Sequence, residues 1–274
     1  MFVLGKMSLI ITTRCNMRCK LCCEYVPENK PFPDMTVDEE RRVLKAIFEV
    51  CDHIEILHLT GGGEPFLHKQ FAEMIETAME YSEKFDKLML FTNCTVPLIP
   101  KVFDKLKFYK EKVFVQLSRY GFKPEQEEEF VQAIQSGGIQ NRVRKYYDAD
   151  QSFGGWISFG GWERQGKSKN VLTKRFKKCA VTCKLNGNWR TRDGKVHWCS
   201  RSQRGMELDF LSDNPDDYVD LFDVSTAEEK RAKFLKIANK SYISACDYCS
   251  GDQGTDDSTL RFPAAEQVIK GGNV

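Results

Sequence analysis

An α/β fold organised round a parallel sheet is the architecture this sequence predicts, and three features predict it. Short apolar, β-branched runs alternate with amphipathic helical segments across roughly the first 160 residues. Their order and length fit a closed or partly closed barrel better than a short doubly wound sheet, although periodicity does not choose between them. Beyond about residue 150 the texture changes to glycine-spaced aromatics, a basic stretch and scattered cysteines. That change places a boundary near residue 165, giving units of 1–165 and 166–274.

Lys6–Thr13 reads as the first strand. Val37–Val50 has helical spacing, with Val43, Leu44, Ile47, Phe48 and Val50 apolar between charges and Asp34 or Thr36 as its N-cap. Strand Ile54–Thr60, helix His68–Ser82, strand Lys87–Asn93 and helix Pro100–Phe108 follow. Strand Lys112–Ser118, helix Pro124–Ser136 and a last strand near Arg142–Asp148 complete the alternation. Such an order implies right-handed βαβ units. In the second unit the later cysteines sit in a stretch of hairpin character, and Ser225–Asn239 reads as another amphipathic helix. The closing Gly271-Gly272-Asn273-Val274 is expected to fray.

The bulk numbers narrow the function. Lys and Arg number 41 against 39 Asp and Glu, a formal charge of +2, so neither a nucleic acid nor an anionic membrane is the expected partner. No apolar run reaches membrane-spanning length. Met1–Cys15 has only Lys6 before its apolar run and no cleavage-site pattern, so a cytoplasmic location is expected. Eleven cysteines in a reducing compartment point to metal binding before disulfides. Cys51, at the end of an amphipathic helix, is set aside as a small core hydrophobe.

Cys15, Cys19 and Cys22 lie in TRCNMRCKLCC, a Cys-x3-Cys-x2-Cys spacing directly after the first strand. The three also share one helical face, as a buried stripe would. Arg14, Asn16, Arg18 and Lys20 around them argue instead for a loop, at the strand end where barrel sites are built. Three thiolates on a four-iron cluster leave one iron open to an outside ligand. After the second strand comes His58-Leu-Thr-Gly-Gly-Gly-Glu-Pro65, whose glycines allow close approach and whose carboxylate can receive an ammonium.

Together these motifs resemble the radical S-adenosylmethionine (SAM) superfamily, over roughly residues 6–165. The resemblance implies a partial (β/α)6 TIM-type barrel. It also implies a [4Fe-4S] cluster on Cys15, Cys19 and Cys22 whose open iron binds SAM, yielding a 5′-deoxyadenosyl radical. Gly62, Gly63 and Glu64 match the family's GGE motif. Leu21 stands where the family often has an aromatic residue, placed to pack on adenine. Thr92-Asn93 matches the start of a TNG sequence whose glycine is here Cys94. Ser118-Arg119 ends the fourth strand, where the family often contacts the ribose or carboxylate of SAM.

The second unit holds Cys183-x10-Gly194-x4-Cys199 followed by Cys246-x2-Cys249. Four thiolates saturate either a tetrahedral zinc or a cubane cluster. The pattern resembles the twitch domain, a shortened SPASM domain in which a β-hairpin and a helix hold one auxiliary [4Fe-4S] cluster. Cys179 is left over and is expected to be a lone thiol.

Within the superfamily, size and layout resemble the deoxy-scyllo-inosamine dehydrogenase-like enzymes. That likeness implies oxidation of a secondary alcohol on a sugar or cyclitol, with the auxiliary cluster accepting an electron and a flavodoxin- or ferredoxin-type protein as reductant. Arg164 and Glu163, just before the auxiliary ligands, are the candidates to bind the hydroxyl and take its proton. The bland reading of that segment is a charged surface turn. Trp156, Phe159 and Trp162 offer stacking faces, although glycine-spaced aromatics also build cores. Two rivals stand beside dehydrogenation: epimerisation with Cys94 as hydrogen donor, and modification of a peptide. A metal-binding scaffold without activity is the non-enzymatic alternative, and the GGGEP loop argues against it.

Overall fold

The computed structural model describes residues 1–28, 32–179, 188–251 and 260–268. Five strands run parallel in chain order: β1 (Val3–Thr12), β2 (His53–Gly61), β3 (Phe85–Thr92), β4 (Val113–Arg119) and β5 (Gln140–Lys145). Helices α1 (Val37–Val50), α2 (Phe71–Met79), α3 (Pro100–Phe108) and α4 (Pro124–Ser136) connect them. Thr36 caps α1 through a capping box with Glu39, which resolves the choice left between Asp34 and Thr36. Asp34 instead takes hydrogen bonds from Thr12 and Arg14, pinning the chain where it leaves β1.

Beyond β5 lie α5 (Lys169–Lys178), β6 (Trp189–Thr191), β7 (Lys195–His197), α6 (Ser200–Glu207), β8 (Tyr218–Asp220) and α7 (Ala227–Ala238). The β6–β7 hairpin turns at Gly194, whose φ of 96° favours glycine and whose N–H donates to Thr191 Oγ1. Rather than starting a sheet of its own, β6 adds parallel to β1. One eight-stranded sheet therefore runs β5-β4-β3-β2-β1-β6-β7-β8. Among the described residues its six parallel strands do not close on themselves, and β5 and β8 are the edges of the sheet.

Strand periodicity divides this sheet into two faces. Met7, Leu9 and Ile11 of β1, Leu57 and Leu59 of β2, Leu88 and Leu90 of β3, and Val113, Val115 and Leu117 of β4 point outward into the core beneath the helices. There they meet Val43, Leu44, Ile47 and Val50 of α1, each fully buried apolar side chain contributing roughly 1.5–3 kcal/mol. The alternate residues face the lumen, and many are polar: Lys6 and Ser8, His58 and Thr60, Gln116 and Ser118. Parallel strands buried on both faces usually read as continuous apolar runs. The polar lumen side is what leaves room for a site.

Candidate active site

The lumen opens as a cavity of ≈ 560 Å³. Cys15, Cys19 and Cys22 line it, with Gly61–Glu64, Asn93, Ser118 and Trp156. The cysteine loop and the glycine loop touch backbone to backbone. Glu64 N donates to Arg14 O at 2.8 Å, and a Cβ built on Gly63 would stand 2.0 Å from that oxygen. Only glycine allows this approach, which holds Cys15 against the end of β2.

Glu64 is 2% exposed and accepts from Phe66 N at 3.1 Å and Asn93 N at 2.8 Å. Burial outweighs those bonds and raises its pKa to about 7. Asn93 in turn donates from Nδ2 to Asn16 Oδ1, and Asn16 donates to Thr95 Oγ1, so the ends of β1 and β3 are knitted beside the carboxylate.

Burial also raises the loop thiols: Cys15 to about 12 and Cys22 well above its ordinary value, while Cys19 is raised against the opposing bond from Gln267. Thiols in such surroundings ionise when a cation compensates them. Among the described residues no three His, Cys, Asp or Glu side chains converge on a single-ion site. The three thiols, the glycine cradle and the buried carboxylate suit a multi-atom cluster with an amine-bearing ligand.

A strap near the C-terminus covers the loop, and the motifs gave no sign of it. Cys19 pairs with Gln267 in a β-bridge, Lys20 N donates to Glu266 O and Val268 N to Arg18 O. Gln267 Nε2 donates to Cys19 Sγ at 3.3 Å. Trp156 pairs with Phe262 and stands edge-on to Tyr120, completing the lid of this wall.

Other expected site residues lie elsewhere. Strand alternation turns Arg119 away from the lumen as Ser118 enters it, and Arg119 ion-pairs with Glu127 and Glu128 on α4. Leu21 is not on the cavity wall. Cys94 has φ 58° and is sealed in the apolar core, so its thiol does not reach the lumen. Glu163 and Arg164 are exposed and off the wall. Arg164 is held by Asp247, which also accepts from Lys167 N at 2.8 Å, so this segment is fastened to the Cys246–Cys249 turn. Trp162 is likewise structural, stacked on Phe210 and on the Arg201 guanidinium at 3.7 Å.

Cys199 opens α6, while Cys246 and Cys249 lie in and after a 3-10 turn. Burial pushes Cys199 up to about 12, and the neighbouring Cys179 and Cys249 raise it further. Cys246 and Cys249 are raised by burial first and by this same thiol group, Cys179 included. Cys179, which spacing set aside, thus lies near enough to Cys199, Cys246 and Cys249 to act on each of them electrostatically. Cys183 lies outside the described residues. Arg201 joins the two cysteine regions: 3% exposed, it donates to Tyr25 Oη at 2.9 Å and to the carbonyls of Gly161 and Tyr248.

The Radical SAM superfamily model matches residues 9–152, more than half of the chain. This chain belongs to the radical SAM superfamily. Two curated proteins are similar over shorter stretches. The S-adenosylmethionine-dependent nucleotide dehydratase of Selenomonas ruminantium is 30% identical over 105 residues, which is 38% of this chain and 35% of that protein. The GTP 3′,8-cyclase of Synechococcus sp. (strain CC9605) is 31% identical over 77 residues, 28% of this chain and 21% of that one. The matched stretches span about a third and a fifth of those relatives.

A solved structure, native anSMEcpe with bound AdoMet and Cp18Cys peptide, shares the fold with a TM-score of 0.55 at 15% identity. The alignment covers 94% of this chain and 92% of that one. The α/β partial barrel and its SAM-binding [4Fe-4S] cluster therefore belong to this protein by family. No described helix is long and apolar enough to cross a membrane.

Proposed function

We propose that this radical SAM enzyme removes a hydrogen atom from a carbon bearing a hydroxyl, on a small polyol or sugar, and oxidises that secondary alcohol to a ketone. The observation carrying this reading is the cavity itself. The cysteine loop and the Gly62-Gly63-Glu64 cradle line a lumen of ≈ 560 Å³ whose wall also carries Lys6, Ser8, His58 and Gln116 among the apolar Ile56, Met89 and Phe91. Cys15, Cys19 and Cys22 would hold the cluster, and Glu64 would receive the ammonium of SAM. When bound, the cluster and SAM supply a carbon-centred radical that abstracts hydrogen. Gly62, Asn93 and Ser118, on the same wall, would position SAM.

The balance of the reaction is simple. The substrate C–H hydrogen atom leaves to the deoxyadenosyl carbon, the hydroxyl proton leaves to solvent, and one electron leaves to an acceptor. The acceptor in this reading is an auxiliary [4Fe-4S] cluster on Cys199, Cys246 and Cys249 with Cys179 or Cys183 as fourth ligand, in a twitch-like unit following residue 165. A flavodoxin- or ferredoxin-type protein would supply the electron that starts SAM cleavage. The depth of Cys94 in the core weakens the epimerase alternative, which needs that thiol in the lumen. Both curated relatives are named for nucleotides, and a ribose is one polyol that suits the reading.

The test is anaerobic turnover of the reconstituted enzyme with SAM, a low-potential reductant and a panel of polyols and ribonucleotides. A ketone formed with one equivalent of 5′-deoxyadenosine is expected. Cys199→Ala should stop ketone formation; undiminished ketone in that variant removes the electron-acceptor role.

A further inference from the structure

The lumen wall away from the cysteines carries side chains to which the motifs give no role. His58, on β2, is 7% exposed. Its Nδ1 lies 3.0 Å from Ser8 Oγ, and Ser8 Oγ donates to Asn188 Oδ1 at 3.3 Å. With the single hydroxyl hydrogen of Ser8 given to Asn188, the bond between Ser8 and His58 uses a proton on Nδ1. The Nε2 atom is then a bare acceptor. It is buried and without a partner, on a ring that lines the cavity and stands edge-on to Phe91 at 5.3 Å. Burial first, then the charges of Lys6 and Arg190, lower the pKa of His58 to about 3. The ring therefore stays neutral and accepting, too weak a base to keep a proton.

The cations on this wall differ in how they are answered. Arg190 is committed to Glu24, at 2.7 and 2.5 Å, and to Gln203 at 2.6 Å. Lys6 has no hydrogen-bond or ion-pair partner among the described residues, and Glu55 attracts it only from beyond ion-pair distance. Arg142, whose carbonyl accepts from Gln116 Nε2, likewise lacks a carboxylate there; its guanidinium lies 5.8 Å from the centre of the Phe114 ring. Lys6, half-buried and close enough to act on His58, and the exposed Arg142 line the same cavity as this neutral acceptor, and cations in one cavity repel a sulfonium and attract an anion.

We propose that Lys6, Arg142 and His58 form the substrate subsite, and that it takes a phosphorylated polyol. The phosphate lies on Lys6 and Arg142, and a nearby hydroxyl donates to His58 Nε2. This rests on the lumen being the radical SAM active site, and it adds the substrate class. His58 orients the hydroxyl; the proton lost on oxidation goes elsewhere.

The test uses reconstituted, SAM-loaded protein and three small probes in ligand-observed NMR titrations: glycerol 1-phosphate, n-propyl phosphate and glycerol. Glycerol 1-phosphate should bind most tightly. Lys6→Ala should weaken both phosphates by about tenfold, the loss of one charge-assisted bond. His58→Phe, which keeps a ring but no acceptor, should weaken glycerol 1-phosphate by about threefold and leave n-propyl phosphate unchanged. If His58→Phe does not fold, Ser8→Ala gives the same selective loss by freeing the tautomer. No phosphate binding to the wild type, or equal effects of both substitutions on both phosphates, overturns the proposal. The same wild-type preparation is assayed for reductive SAM cleavage. No 5′-deoxyadenosine would sink the parent reading, whereas cleavage without phosphate binding sinks only the subsite.

Discussion

Gly63→Ala would test how the two loops of the site are joined. The added methyl would sit 2.0 Å from Arg14 O, 2.4 Å from Arg14 C and 3.0 Å from Cys15 N. All three are backbone atoms, so no rotamer change relieves the contact. The Arg14–Cys15 segment must retreat by roughly an ångström, breaking the 2.8 Å bond from Glu64 N. Overpacking of this kind costs about 1–3 kcal/mol, and the lost bond adds about 1 kcal/mol. Gly62→Ala is the control, because its methyl first meets the Thr13 Cγ2 methyl at 3.3 Å, a side chain that can give. It should cost less than about 1 kcal/mol. The assays are the melting temperature of the metal-free protein and iron bound per chain after anaerobic reconstitution. Gly63→Ala should melt roughly 5–10 °C lower and load less iron, with Gly62→Ala near wild type. Equal melting and full iron in Gly63→Ala would refute the coupling of the loops.

Three further outcomes follow from other parts of the site. Glu64 has a folded pKa of about 7 against 4.5 for an ordinary glutamate, so the metal-free protein should lose stability as pH rises through that window. Glu64→Gln should flatten that slope and gain on the order of 3 kcal/mol above neutrality; an unchanged slope assigns the effect elsewhere. Gln267→Leu removes the N–H bond to Cys19 Sγ, and redox-poised EPR should find the first cluster's potential more negative, an unchanged potential placing that amide away from the sulfur. Cys179→Ala should cost about four irons, as loss of one cubane requires. If only Cys183→Ala does so, the spacing reading of that ligand holds.

The outer face of the barrel was legible because helix spacing and proline positions mark it directly. Val37–Val50, Pro100–Phe108 and Pro124–Ser136 span the same residues in sequence and structure. The cysteine loop and the glycine loop were legible because each is local. Contacts across the chain were not: nothing near Cys19 announces Gln267, 248 residues away, and nothing in the Trp189–Thr191 segment announces its pairing to β1. The open order of the sheet depends on that pairing. The expected pair Ser118-Arg119 is divided by strand alternation: Ser118 lines the lumen while Arg119 pairs with Glu127 and Glu128. His58 belongs to a pattern visible in the strands themselves. Polar residues at alternate positions of otherwise apolar parallel strands, Lys6 and Ser8, His58 and Thr60, Gln116 and Ser118, mark the face that lines the lumen.

The central claim is that Cys15, Cys19 and Cys22 hold the cluster that cleaves SAM in this lumen. It is tested most directly by measuring 5′-deoxyadenosine from reconstituted, reduced protein and from Cys22→Ala. The account predicts reductant-dependent product from the wild type and none from the variant. Product from Cys22→Ala at the wild-type level, or none from an iron-replete wild type, would contradict it.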